Sequence, residues 1–293
     1  MKLGALEAGG TKMVCSIGDE HGHIFDRTSI PTTMPDETLA LIIDYFSDKD
    51  IEALGIAGFG PLDLNLASPT YGYITTTPKD GWVNCALLPR LAQALNVPVG
   101  IDTDVGAAAL AEYKMGAGRG TQSMVYFTIG TGIGGGIVTN GEIVHGLVHP
   151  EAGHITLRAH EKDPCPDGFC PYHTGCLEGL AKGPSFDARW GISSKDLPHD
   201  HIGWQVETYY IAQMCANIIL TLSAEVIVLG GGVMQQSFLF PMIWAKTVEL
   251  LGGYVANDKV LNHMDEIIMP PGLGVNSGVT GALLLAADAA NRG

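Results

Sequence analysis

Two short segments combine glycines with a threonine in the way that phosphate binding requires. Leu3–Lys12 reads Leu-Gly-Ala-Leu-Glu-Ala-Gly-Gly-Thr-Lys, and Thr128–Gly136 reads Thr-Ile-Gly-Thr-Gly-Ile-Gly-Gly-Gly. Each is a mostly apolar run that enters glycines and is followed by a second apolar run, Met13–Ile17 or Ile137–Val138. Glycine lets main-chain N–H groups approach an anion with no Cβ in the way, and a threonine hydroxyl adds a donor. One such hairpin alone reads as an ordinary turn. A pair, with Lys12 directly after the first, points to a nucleotide polyphosphate.

Other residues carry different chemistry. Cys165, Cys170, His173 and Cys176 fall within twelve residues, among prolines 164, 166 and 171. The spacing Cys170-x-x-His173-x-x-Cys176 suits one tetrahedral ion, with His154 as the nearest fourth ligand and Cys165 as its rival; a closed set of four makes the metal structural. Cys15, Cys85 and Cys215 lie apart in apolar surroundings and read as core residues. Asp102-Thr103-Asp104 ends one apolar run and opens a helical one. Asp104 there reads either as a helix cap or as a carboxylate that takes a proton from an attacking hydroxyl. Glu151, His154 and Glu178 flank the cysteine loop, and paired carboxylates suit the adjacent hydroxyls of a polyol. Val226–Val233 is a buried strand opening into Gly230-Gly231-Gly232, a turn that on its own is a weak nucleoside signal.

The elements that position these residues alternate between strand and helix. Strands are expected at Leu3–Ala8, Met13–Ile17, His23–Ile30, Ala53–Ala57, Val97–Ile101 and Val226–Leu229. Helices are expected at Glu37–Phe46, Cys85–Leu95, Val105–Met115, Leu177–Lys182, Trp204–Ser223 and Ser277–Ala290. This is an α/β chain of mixed sheets covered by helices. The pattern breaks at Gly116–Gly120, which predicts a first domain over residues 1–116 and a larger one over 117–276 carrying the cysteine loop. Helix 277–290 is expected to pack back on the first domain. No low-complexity linker intervenes, so a hinged cleft is expected.

Composition narrows the classes. The 293 residues are 46% hydrophobic and 16% charged, with a net charge of −15. That acidity argues against nucleic acid or an anionic membrane as a partner. Glu7 and Lys12 interrupt the N-terminal apolar run, so no signal peptide is expected. Thr208–Ala224 contains Gln213 and Asn217 and is too short to span a bilayer. A cytoplasmic, reducing location follows, in which six cysteines are not a disulfide framework.

Taken in order, these motifs resemble the ROK sugar kinases, a resemblance that covers essentially the whole chain. Glu7-Ala-Gly-Gly-Thr-Lys12 is similar to the family's first phosphate motif, where Asp more often opens. Asp104-Val-Gly-Ala-Ala-Ala-Leu110 is similar to the segment led by the catalytic Asp, and Thr128–Gly136 to the second phosphate motif. Glu151-x-Gly-His154, Cys176-Leu-Glu178 and Gly230-Gly-Gly-Val233 resemble the sugar, zinc and adenosine motifs. Glu7, Thr-Pro-Lys79-x-Gly-Trp82 and Cys-Pro-Tyr-His173-x-x-Cys176 place the resemblance in the bacterial fructokinase branch.

The resemblance implies an actin-like ATPase (ribonuclease H-like) fold with two domains flanking a cleft. It implies transfer of phosphate from ATP, with Mg²⁺, to the 6-hydroxyl of a hexose. Fructose is favoured; glucose, mannose or an N-acetyl hexosamine, or a non-catalytic sensor, are the alternatives. Asp104 is then the general base, and Gly9, Gly10, Thr11, Lys12, Thr131, Gly132, Pro184, Gly231, Gly232, Val233, Met234 and Gln235 meet ATP. Asp104, Glu151, His154 and Glu178 meet the sugar, and His154, Cys170, His173 and Cys176 hold a structural Zn²⁺. A homodimer is also implied. Thr103 and Gly106 depart from the asparagines common in the family, and the short stretch before Leu3 leaves no DNA-binding segment expected.

Overall fold

The computed structural model describes residues 1–292. In chain order the elements are β1 (Leu3–Ala8), β2 (Lys12–Gly18), β3 (Ile24–Pro31), α1 (Pro35–Ser47), β4 (Ala53–Gly58), α2 (Leu87–Leu95), β5 (Val99–Thr103) and α3 (Asp104–Met115). There follow β6 (Ser123–Ile129), β7 (Ile133–Thr139), β8 (Glu142–Ile143), α4 (Leu177–Ala181), α5 (Gly183–Trp190), α6 (Ile202–Leu222) and β9 (Val226–Gly230). The chain ends with α7 (Leu239–Leu251), α8 (Asp258–Asn262), β10 (Ile268–Met269) and α9 (Ser277–Arg292). Two compact units result: residues 1–116, 141–150 and 275 onward form the first, and 117–140 with 151–274 the second.

The two sheets have matching strand orders, β3-β2-β1-β4-β5 and β8-β7-β6-β9-β10. In each, an antiparallel hairpin (β1–β2 or β6–β7) carries a parallel strand against its first member (β4 or β9). Register places Ala8 opposite Met13 and Ile129 opposite Ile133, so the first hairpin closes through four residues, Gly9-Gly10-Thr11-Lys12, and the second through three, Gly130-Thr131-Gly132. The repeat seen in the glycine motifs is therefore a repeat of topology.

In the first unit, one face of the sheet packs Leu6, Ile56 and Ile101 against Leu39, Ile42 and Leu91 of α1 and α2. The other face, with Leu3, Ala5 and Ala57, packs on α9 through Val279, Ala282 and Ala286. That helix lies so close that a Cβ on Gly55 of β4 would sit 1.8 Å from the Ala282 carbonyl oxygen, so only glycine fits there. The second unit has a single large core, in which Phe127 and Leu229 meet Leu180, Phe186, Tyr210 and Met214. The apolar run around Thr208 is α6, most of whose residues are buried. Among the described residues, no helix is long and apolar enough to cross a membrane. Strand β5 begins two residues later than its sequence pattern implies, because Pro98 has no N–H for the ladder, and ends two residues later, because Asp102 and Thr103 pair with Ala57 and Gly58 of β4. Asp102 and Thr103 are consequently strand residues, and the helix starts at Asp104.

Candidate active site and metal-ligand cluster

The first glycine turn is held by its own backbone and by Thr32. The Gly9 N–H donates to the Lys12 carbonyl at 3.1 Å, the Thr32 hydroxyl donates to the Gly9 carbonyl at 2.7 Å, and the Thr32 N–H donates to the Thr11 carbonyl at 3.0 Å. Gly10, Thr11 and Lys12 are exposed, and no atom lies within 4 Å of where a Gly10 Cβ would be. This is an open cradle of the kind that oxygens of a phosphate fill. Half-buried Glu7 precedes it at the end of β1. Burial pushes its carboxyl up, while the Arg27 and Lys12 charges pull it down. Its carboxyl lies against the first turn of α9, where a Cβ on Gly278 would come within 2.9 Å of Cδ.

Asp104 is the first residue of α3 and not its cap. The cap is Thr103, in extended geometry, whose hydroxyl accepts the Gly106 N–H at 3.0 Å. One Asp104 oxygen accepts its neighbour's Val105 N–H at 2.9 Å. A carboxylate in a first helical turn is stabilised as the anion by the helix dipole.

The second turn is braced from outside. The Gly130 N–H donates to the Gly132 carbonyl at 2.9 Å, closing the turn, and the Gly183 N–H at the start of α5 donates to the Gly130 carbonyl at 2.8 Å. Glu178 on α4 accepts the Ile133 N–H at 3.1 Å, and its other oxygen is 3.5 Å from the Lys182 ammonium. Thr131 is exposed at the tip. The turn after β9 comes alongside, with the Gly232 N–H 3.7 Å from a Cβ placed on Gly130. Gly231 has φ +90°, and a Cβ there would strike the Ile129 backbone at 2.4–2.6 Å, which only glycine avoids. Gly232 is open on its Cβ side. Val233 and Met234 are buried in the core, whereas Gln235 and Pro184 are exposed.

Glu151 and His154 bracket a single 3-10 turn that sits on the start of β7. A Cβ on its middle residue, Gly153, would lie 1.9 Å from the Ile133 carbonyl oxygen. The second unit thus gathers Glu151, His154 and Glu178 around the same strand start that ends the glycine turn.

His154, Cys170, His173 and Cys176 converge, with their ligand atoms all within 4.8 Å of one another. The Cys170 sulfur is 3.9 Å from His154 Nδ1 and 3.6 Å from His173 Nδ1, and the Cys176 sulfur is 3.8 Å from His154 Nδ1. Tetrahedral zinc with ordinary bond lengths separates sulfur and nitrogen ligands by about 3.6 Å. The donor set and its spacing fit such an ion. Backbone N–H groups of Tyr172 and Gly179 point at the two sulfurs, at 3.5 and 3.4 Å. Cys165 is outside the group; its N–H instead donates to Asp163 at 2.7 Å. Cys176 also caps α4, so the cluster is continuous with the helix that carries Glu178. The core thiols Cys15, Cys85 and Cys215 are inert by comparison: burial pushes all three up, Cys15 to about 12.

A sequence model of the ROK family matches residues 3–289. The chain belongs to the ROK family. Among its relatives, the fructokinase of Pediococcus pentosaceus is 46% identical over 286 residues, 98% of each chain. The fructokinase of Lactococcus lactis subsp. cremoris is 45% identical over 252 residues, 86% of each chain. The crystal structure of a ROK hexokinase from Thermus thermophilus superposes with a TM-score of 0.80 at 25% identity, covering 100% of both chains. The duplicated sheets are thus those of the actin-like ATPase fold that ROK kinases use.

Proposed function

We propose that this ROK protein is a fructokinase, transferring the γ-phosphoryl group of ATP to the 6-hydroxyl of D-fructose. The new bond joins the sugar oxygen to phosphorus, the β–γ bridge breaks, and ADP leaves with the electron pair. Asp104 accepts the hydroxyl proton. The observation that carries the reading is the duplication: one glycine–threonine turn closes the corresponding hairpin of each of two sheets of matching order. Gly9, Gly10, Thr11 and Lys12 act on the phosphates from the first unit, and Thr131 and Gly132 from the second. Pro184 and Gly231–Gln235 flank the nucleoside. Glu151, His154 and Glu178 orient the sugar hydroxyls together with Asp104. Such transfer depends mainly on positioning and charge stabilisation, and backbone N–H groups supply both in a protein of net charge −15.

Mg²⁺ bound with ATP would neutralise phosphate charge, and Glu7, the acid before the first turn, would hold it through water. Zn²⁺ on His154, Cys170, His173 and Cys176 would order the cysteine loop. Fructose is favoured over other hexoses by the names of the relatives at 45–46% identity. A homodimer, the state that the family resemblance implies, in the cytoplasm expected from the sequence, goes with this reading. Steady-state turnover with a panel of hexoses tests it. Fructose should give the highest kcat/KM; a preference for glucose or mannose would move the substrate, and binding without turnover would make the protein a sensor.

A further inference from the structure

We propose that Asp102, clamped by His145, is a positioning residue that sets the first turn of α3 and so aims the carboxylate of Asp104. The inference rests on the reading of Asp104 as the base. Asp102 is 4% exposed, and both of its oxygens are engaged. Oδ1 accepts the Thr103 N–H at 2.7 Å and faces the Thr103 hydroxyl at 3.3 Å; Oδ2 is 2.7 Å from His145 Nε2. The Thr103 hydroxyl in turn accepts the Gly106 N–H that starts the helix. An unbroken line of hydrogen bonds therefore runs from His145 through Asp102 and Thr103 into the turn whose first residue is Asp104.

Gly106 shows how tightly this line is packed. A Cβ on Gly106 would lie 2.3 Å from Asp102 Oδ1 and 2.8 Å from the Thr103 hydroxyl. The Asp102 carboxylate fills the space that any side chain at position 106 would need. Asp102, Thr103 and Gly106 therefore form one packed unit in which no member changes alone. A carboxylate this buried needs a partner, and removing that partner leaves an uncompensated charge.

His145 lies in the segment after β8, which groups with the first unit although it follows β7 in sequence. A second imidazole pins the same segment: His149 Nε2 accepts the Leu62 N–H at 3.1 Å. Asp102 and His145 also form part of the wall of a cavity of about 710 Å³. Other charged or titratable groups on that wall are Lys114 from α3, Glu142 from β8, Asp288 and Arg292 from α9, and Tyr71 from the loop after β4. The cations and anions there are nearly balanced, so the short Asp102 contact dominates at His145. That hydrogen bond raises the imidazole pKa against the lowering effect of burial. The ion pair is complete below the ordinary imidazole range and weakens as pH rises through the raised value.

Kinetics of single variants, alongside an NMR titration of the His145 ring, test the clamp. His145→Ala should lower kcat about ten- to a hundredfold, the scale of a small displacement of a catalytic group, with KM for ATP and fructose nearly unchanged. His145→Gln keeps an N–H donor and should restore most of the rate at neutral pH, but without the wild type's decline on the alkaline side. Gly106→Ala should be slow in the wild-type background and cost less in Asp102→Ala, which removes the closer of its two clashes and leaves only the one with the Thr103 hydroxyl. A His145→Ala variant that only melts earlier while keeping its kcat would overturn the proposal, as would additive effects of Gly106→Ala and Asp102→Ala. The ring titration separates this from failure of the assigned activity. His145 should titrate higher in the wild type than in Asp102→Asn whatever the substrate, and equal values would overturn the clamp itself.

Discussion

The two glycine turns occupy equivalent places in two sheets of matching order, yet they are built differently. The first is self-sufficient: it is held by its own Gly9–Lys12 bond and by Thr32, the residue that follows β3. The second has its own Gly130–Gly132 bond but leans in addition on a side chain and a helix end far along the chain. Glu178 of α4 holds the Ile133 N–H, and Gly183 of α5 holds the Gly130 carbonyl. Because Cys176 is both the cap of α4 and a member of the metal-ligand cluster, the second turn inherits the order of the cysteine loop. The first does not. A duplicated fold has thus kept its strand order while dividing the means of support, and the asymmetry predicts how each turn fails.

The largest expected effect lies outside both turns and sets the reference for them. Asp104→Asn should lower kcat by about two to four orders of magnitude, the range for loss of a general base. Calorimetry should find ATP-analogue and fructose affinity nearly unchanged, because Thr103, not Asp104, caps α3. Near-normal turnover would remove Asp104 from the chemistry.

Next in size is loss of the metal. Cys170→Ser should abolish one zinc per chain in elemental analysis, whereas Cys165→Ser should keep it, since Cys165 is outside the cluster. In the demetallated but folded protein, fructose binding should weaken through Glu151 and His154. ATP-analogue binding should weaken too, by about tenfold, the cost of loosening one or two hydrogen bonds at the second turn. If ATP-analogue affinity were untouched while fructose affinity collapsed, the link through α4 would be wrong and the two turns would be equally independent.

That link marks the limit of what the amino-acid order alone conveys. Both hairpins, the metal-ligand loop and the strand–helix passage at Asp104 are local patterns: apolar runs, glycines, and Cys and His spaced along a few residues. They are legible because each element's chemistry is contained in its own neighbourhood. Glu178 reads from sequence only as a sugar carboxylate, since its bond to Ile133 crosses 45 residues and leaves no periodic trace. The same holds for Asp102 and His145, 43 residues apart. Helix α5 escapes pattern reading because Gly183 and Pro184 open it and it is only eight residues long. The passage of segment 141–150 into the first unit is equally invisible, because nothing in its composition says which sheet its histidines will meet.

A pair of substitutions at Glu178 sharpens the comparison further. Glu178→Gln keeps an oxygen for the Ile133 N–H but loses the charge, so ATP-analogue affinity should fall by less than about threefold. Glu178→Ala removes the acceptor and should cost about tenfold, leaving a backbone donor without its partner. Equal effects of Gln and Ala on the nucleotide would mean that Glu178 acts there only through its charge.

The smallest effect is expected at the first turn. Thr32→Val removes a single hydroxyl, whose donor bond to the Gly9 carbonyl is 2.7 Å, and keeps the shape of a side chain that is 6% exposed. The Thr32 backbone N–H still reaches the Thr11 carbonyl, and the Gly9–Lys12 bond is untouched. One hydrogen bond of about 1 kcal/mol is lost, equivalent to roughly fivefold in affinity for an ATP analogue. Crucially, this loss should be the same with and without metal, because nothing that holds the first turn passes through the cysteine loop. Titrating the analogue into wild type and Thr32→Val, each before and after chelation, gives four affinities. Independent supports predict that the two losses multiply. If chelation instead erased the Thr32→Val effect, the turns would share one support, and the contrast between them would not survive.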